Sequence, residues 1–207
     1  MLNRGLLKAG LGGKFMVDLS NFRQYYKEVE TKFHDDKNAI KGKQDSTLSI
    51  DWDEFNDLHN DYYTIELHHV DIHRKSCLVT LYSYLESFLN YLCECLYKLN
   101  DYSVKHTDLE GKGITRARLY LDKIVGVDFN KINSEWASIK NLNLIRNSIV
   151  HNSGKSDREK IDRIIKNEPD LSLDMFNEIR IKDSYINEAI NQIEVFLTLI
   201  HEQVFEK

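Results

Sequence analysis

The chain has 207 residues, of which 42% are hydrophobic and 29% charged, with a formal net charge of −5. Such values describe one soluble globular domain, or one domain with an arm, long enough to bury a real core; they set aside a disordered chain and a high-affinity, non-specific nucleic-acid binder. A single proline and nine glycines leave long stretches free of both, which predicts an all-α protein.

In chain order, residues 1–14 read as an arm. Gly10-Leu11-Gly12-Gly13-Lys14 lacks the Gly-x4-Gly-Lys-Ser/Thr spacing of a phosphate loop, and its glycine content makes a poor signal peptide. Leu19, Phe22, Tyr26, Val29 and Phe33 repeat at helical spacing, whereas residues 35–49 are polar and read as a loop. Residues 1–50 therefore form an N-terminal arm, helix and polar loop ahead of a main helical domain, 51–207.

Residues 52–99 contain neither glycine nor proline. Trp52, Phe55, Leu58, Tyr62 and Ile65 set one helical stripe. Leu78, Leu81, Leu85, Phe88, Leu92, Cys95 and Leu99 set a second, coiled-coil-like seam. One unbroken helix of this length would reach roughly 70 Å, so a bend near residues 71–76 is expected. Glu86 lies beside that seam, flanked by Val79, Tyr82 and Cys93, and wants a partner. A short helix follows at 115–126. After the next helix, Ser156-Asp157-Arg158-Glu159 forms a capping box for another short one that ends before Pro169. Alternation at Leu171, Leu173, Ile179 and Ile181 predicts a small β-hairpin, and Ile186, Ala189, Ile190, Ile193, Leu197, Ile200 and Val204 a final helix. No run of 18 apolar residues exists, so no membrane span is expected. Cys77, Cys93 and Cys95 form no CxxC pair, consistent with reduced thiols in a cytoplasmic protein.

The most informative stretch is 134–154, opened by the capping residues Asn133 and Ser134 and stopped by Gly154. On a helical wheel Ile139, Leu142, Ile145, Ile149 and Val150 share an apolar sector, with Lys140, Asn143, Asn147 and His151 as a polar stripe beside it. Arg146 projects from the apolar sector. A guanidinium cannot shed its charge, so it needs a snorkelling route, a carboxylate or a bound anion. Glu86 is the candidate carboxylate. An Arg-x4-His pair arises by chance in about one such chain in three, so the weight rests on its setting: an amphipathic helix end, an asparagine after the arginine, a glycine just beyond.

Arg146-Asn147-Ser148-Ile149-Val150-His151 resembles the Arg-polar-x3-His signature of HEPN (higher eukaryote and prokaryote nucleotide-binding) domains. Leu81-Tyr82-Ser83-Tyr84-Leu85-Glu86-Ser87-Phe88-Leu89 is similar to the early glutamate-bearing helix of that family, and the hairpin with its terminal helix fits several bacterial members. The resemblance covers the chain from about Trp52 onward. It implies a HEPN-like bundle of long antiparallel helices, a homodimer, and a metal-independent endoribonuclease of the toxin–antitoxin or anti-phage-defence kind. Catalysis would fall to Arg146 on the scissile phosphate, His151 in proton transfer and Asn147 as an orienting group, with RNA as substrate and no cofactor or metal. An antitoxin or other defence-system protein is the further partner it implies. One departure matters: members paired with nucleotidyltransferases carry a tyrosine two positions after the histidine, and here Ser153 stands there.

Geometry adds a condition. Arg146 and His151 point about 140° apart on an ideal helix, so two copies of this helix across a two-fold axis would be needed to bring all the groups together. Lys155, Arg158, Lys160 and Arg163 follow and suit RNA guidance, with Lys155 and Glu86 as accessory site residues, although interleaved acids also describe a plain solvated face. A second reading is a non-catalytic HEPN-like binding, antitoxin or assembly module in which Arg146 is a structural ion pair with Glu86. His59, Glu66, His68, His69 and His73 lie close in sequence, but without an HExxH pattern they read as a solvated helix face rather than a metal site.

Overall fold

The computed structural model describes residues 3–46, 52–151 and 158–206. The protein is all-α apart from one two-stranded sheet. Its helices are α1 (Arg4–Ser46), α2 (Trp52–Tyr63), α3 (Val70–Asn100), α4 (Gly113–Tyr120), α5 (Asn133–His151), α6 (Arg158–Asn167) and α7 (Asp183–Phe205), with strands β1 (Leu171–Leu173) and β2 (Ile179–Ile181) between α6 and α7. No helix among the described residues is long and apolar enough to cross a membrane.

α1, α3, α5 and α7 form the bundle, and α3 lies at its centre. Leu78, Leu81, Leu85, Phe88, Leu92 and Cys95 are all buried, as their spacing predicts, and Leu99 is half-buried where the helix ends. Every apolar position read in the last helix is likewise buried in α7. The three cysteines are free and buried. Burial pushes the Cys77 thiol up to about 11 and that of Cys93 to about 12, which leaves both as inert core residues.

The N-terminal segment departs from expectation. Over 4–46 it is neither arm nor loop but one 43-residue helix, about 65 Å long, and residues 47–49 of the expected loop lie outside the described residues. Asn3 starts it by accepting the Gly5 and Leu6 amides on its side-chain oxygen at 2.8 and 3.3 Å. Leu11, Phe15 and Leu19, at i, i+4 and i+8, insert into the core and outweigh the helix cost of the nearby glycines, about 1 kcal/mol each. Phe15 meets Phe88 edge-on, with ring centroids 5.7 Å apart. At Gly12 a Cβ would sit 3.2 Å from the His201 ring nitrogen, so that ring would have to give by a few tenths of an ångström. That nitrogen donates to the Lys8 carbonyl at 2.8 Å.

The polar second half of α1 stays helical because α2 and α3 run antiparallel beside it. Lys41 lies over the Tyr62 ring, Lys37 pairs with Glu66, and Arg74 grips Glu30 with two hydrogen bonds of 2.9 and 2.7 Å. The irregularity in the long second helix falls at Thr64–His69, a π-helical stretch just before the expected bend. The β-hairpin docks there. Arg180 donates to the Leu67 carbonyl at 3.0 Å, meets Asp71 at 3.0 Å and grips Asp174 with two hydrogen bonds. Asp174 in turn accepts the Phe176 and Glu178 amides, closing the tight turn between the strands.

Candidate functional site

α5 begins at Asn133, where the first helical bond runs from the Trp136 amide to the Ile132 carbonyl; Asn133 and Ser134 therefore sit in the first turn rather than before it. Its buried positions are Trp136, Ile139, Leu142, Ile145 and Ser148, one every third residue. Each such step falls about 60° short of a full turn, so the buried line winds around the helix as α5 crosses its neighbours obliquely. This corrects the apolar sector read from the sequence. Ile149 is only half-buried, Val150 is 44% exposed, and the core-facing line ends on Ser148 instead. Arg146 is thus a flanking residue of α5, turned toward α3.

There Arg146 makes a different set of contacts from the one expected. Its Nη1 donates to Asn147 Oδ1 at 2.9 Å, and Asn147 Nδ2 donates to Asn143 Oδ1 at 3.0 Å, a chain of side chains along one helix edge. The guanidinium carbon stands 5.9 Å from the centre of the Tyr82 ring, and its Nε is buried without a hydrogen-bond partner. Burial, then the neighbouring Glu86 charge, hold the Tyr82 hydroxyl well above its ordinary value, with Arg146 opposing, so the phenol remains neutral at any physiological pH.

Among the described residues Arg146 forms no salt bridge with Glu86, and the expected ion pair is corrected accordingly. Glu86 turns instead to the start of α4. Its carboxylate lies 3.3 Å from where a Cβ on Gly113 would stand, and Gly113 has φ +55°. The positive end of a helix N-terminus suits a nearby carboxylate. A glycine at 113 both tolerates the left-handed backbone and leaves room for the carboxylate.

His151 is exposed at the last residue of α5, in line with Asn143 and Asn147. Arg146 and Asn147 are bonded to each other, while His151 projects about 140° away from Arg146. A single protomer therefore does not gather the three groups around one point. Lys155 lies outside the described residues, as do Ser153, Gly154 and the start of the capping box at Ser156 and Asp157. Lys160 and Arg163 of α6 line a notch of about 270 Å³ with Asn141 and Leu144 of α5. Leu144 and His151 share a helix edge to within about 20°, which puts the notch on the histidine's side of α5.

The sequence reading did not assign Tyr82 to Arg146. The signal was present, since Tyr82 precedes Glu86 by one turn, but the choice between ring and carboxylate needed the α3–α5 crossing. A larger cavity, about 630 Å³, opens between α1, α3 and α7 beside Arg23, Glu30, Arg74 and Asp183. Several of its charges are paired: Arg74 with Glu30, Arg23 with Glu194 and Lys37 with Glu66. The histidine-rich stretch is spread apart. His73 stacks on Tyr26 with centroids 5.4 Å apart, Glu66 is held by Lys37, and His59 sits among the rings of α2. Among the described residues no three potential ligands converge to hold a metal ion.

Together these features define an all-α bundle whose fifth helix ends in an arginine–asparagine pair and an exposed histidine. No protein-family model matches the chain, and no curated protein or solved structure gives a significant match.

Proposed function

We propose that the protein is a metal-independent endoribonuclease of HEPN type, acting as a toxin or effector, with a composite site formed where two copies of α5 meet. The observation that carries the reading is Arg146. It is a half-buried guanidinium, oriented by Asn147 and Tyr82, with no ion-pair partner among the described residues, on the same helix end as an exposed histidine. A permanent cation so placed favours a phosphate, to which arginine donates bidentately. RNA brings its own nucleophile, so the protein need supply only charge stabilisation and proton transfer. One His151 accepts the 2′-hydroxyl proton as that oxygen attacks phosphorus. The phosphorus–5′-oxygen bond breaks, the partner's His151 protonates the departing oxygen, and the products are a 2′,3′-cyclic phosphate and a 5′-hydroxyl. Val150, 44% exposed and one residue before His151, offers an apolar side chain at the helix end to a two-fold seam.

The test is RNA cleavage by purified protein in EDTA. Cleavage should persist without divalent metal, leave cyclic-phosphate ends, and fall by two orders of magnitude or more, the usual weight of a proton-transferring group, in His151→Ala. Undiminished cleavage by His151→Ala, or cleavage that EDTA abolishes and a divalent metal restores, would refute it. The alternative reading, a non-catalytic binding, antitoxin or assembly module, predicts no RNA cleavage by the parent chain.

A further inference from the structure

The notch between α5 and α6 holds polar groups that the proposed chemistry does not use. The central one is Glu168, the residue just past the end of α6. Its carboxylate is half-buried and, among the described residues, receives no hydrogen bond and forms no ion pair. Burial, then the neighbouring Glu188 and Asp170 charges, hold it above its ordinary value, so hydrogen-bond donors beside it would be favourable. The side-chain amides of half-buried Asn141 and exposed Asn167 border the same notch and are equally without partners among the described residues. Each offers both donors and an acceptor. Half-buried Leu144 and buried Ile164 supply an apolar wall. At about 270 Å³ the space is smaller than a pocket for a drug-sized ligand and suits one flat ring system with hydrogen-bonding edges.

Charge and position select that ring system. A carboxylate alone would equally accept a guanidinium or an ammonium, but Lys160 and Arg163 line the same notch and exposed Lys140 adjoins it. Arg163 has only a loose 3.7 Å contact with Glu159, at side chains 77% and 91% exposed. A cationic occupant is therefore disfavoured, whereas a neutral base carried on a phosphate chain is drawn in. Lys140, Leu144 and His151 lie within about 40° of one another around α5, and Leu144 is about 10 Å along the axis from His151. A strand cut beside His151 thus runs over Leu144 toward Lys140 and lays a nearby base in the notch. Guanine alone presents two adjacent donors, N1–H and the N2 amino group, which one carboxylate accepts together, with O6 and N7 as acceptors for arginine or an amide. Building on the ribonuclease reading, we propose that this notch is a guanine-specificity site. Glu168 accepts from N1 and N2 of a guanine next to, or one removed from, the cleaved linkage, and Arg163 and the asparagine amides donate to its O6 and N7.

Strands of 2′-O-methyl nucleotides, whose blocked 2′-oxygen prevents cleavage, report binding alone. Fluorescein-labelled oligouridine strands carrying one central guanosine, inosine, adenosine or cytidine are titrated against the full chain and followed by anisotropy. The guanosine strand should bind about tenfold or more tightly than the adenosine and cytidine strands, the order of discrimination of one good paired contact. Inosine, which lacks the N2 amino group, should lose part of that preference. Glu168→Gln should abolish the preference, keep the weaker binding of plain oligouridine, and melt near the parent, because the carboxylate it replaces has no partner to lose. Equal binding of all four strands, or an undiminished guanosine preference in Glu168→Gln, would overturn the proposal. Failure of every strand to bind would also overturn it. If an arginine-rich peptide then binds and Glu168→Gln abolishes that binding, the carboxylate belongs to a protein partner instead. Cleavage of unmodified RNA, assayed alongside, separates the two claims. Cleavage with no guanosine preference in binding defeats the specificity site and leaves the ribonuclease standing; guanosine-selective binding without cleavage does the reverse.

Discussion

Replacing Arg146 by alanine separates the two roles open to this residue. The substitution removes one hydrogen bond, to Asn147, and one guanidinium–ring contact, to Tyr82. A net hydrogen bond is worth about 1 kcal/mol and a part-exposed cation–π contact about 0.5–1 kcal/mol, so the expected cost is about 1.5–2 kcal/mol. Breaking a buried ion pair with Glu86 would have cost about 3–5 kcal/mol, because a carboxylate would be stranded. In a chain of 207 residues each kcal/mol moves the melting temperature by about 2–4 °C, so Arg146→Ala should melt about 3–8 °C lower. Thermal melts of Arg146→Ala, Glu86→Gln and the double variant complete a cycle whose coupling should stay below about 0.5 kcal/mol. A fall beyond about 10 °C with coupling above about 1.5 kcal/mol would refute the reasoning and restore the ion pair.

Phe15→Ala should cost about 3–5 kcal/mol in urea or thermal unfolding, a loss that a dangling N-terminal arm would not show. Gly113→Ala should cost about 1–2 kcal/mol from its left-handed backbone, and Glu86→Ala in the same chain should relieve only the added crowding at the carboxylate. Stability should also fall on mild acidification. Burial holds the imidazoles of His73 and His106 below their ordinary value of 6.5, with the nearby arginines Arg74 and Arg116 adding to the effect. Above that value both states carry neutral rings and stability is full. As pH falls below it the unfolded chain takes up protons first, and stability declines until the folded rings are protonated too. His73→Phe, which keeps the stack on Tyr26, should flatten the melting curve's dependence between about pH 7 and 5.

Much of the architecture is legible in local pattern. The seam from Leu78 to Cys95, the apolar positions of α7 and the alternation around Leu171 and Ile181 each specify an element and its buried face, because spacing of three and four, or of two, can satisfy only one kind of backbone. The N-terminal half of α1 is not legible in that way. Its glycines argue against a helix, and only the contacts of Leu11, Phe15 and Leu19 with distant elements reverse the balance. The polar tail of α1 likewise depends on cross-helix partners such as Glu66 and Arg74, which no local window contains.

The candidate site divides along the same line. From the residues alone, Arg146 is a charge out of place on an amphipathic helix that ends in Asn147 and His151. That follows from the periodicity and from the fact that guanidinium cannot be neutralised. Which surface receives the charge is decided by how helices cross. The buried line on α5 winds by thirds, so Arg146 faces Tyr82 while Glu86, on the next turn of α3, reaches the amino end of α4 at Gly113. Local sequence sets what each side chain demands. The crossing angle and register of helices distant in sequence decide which neighbour meets it, and among the described residues they leave the arginine without a carboxylate.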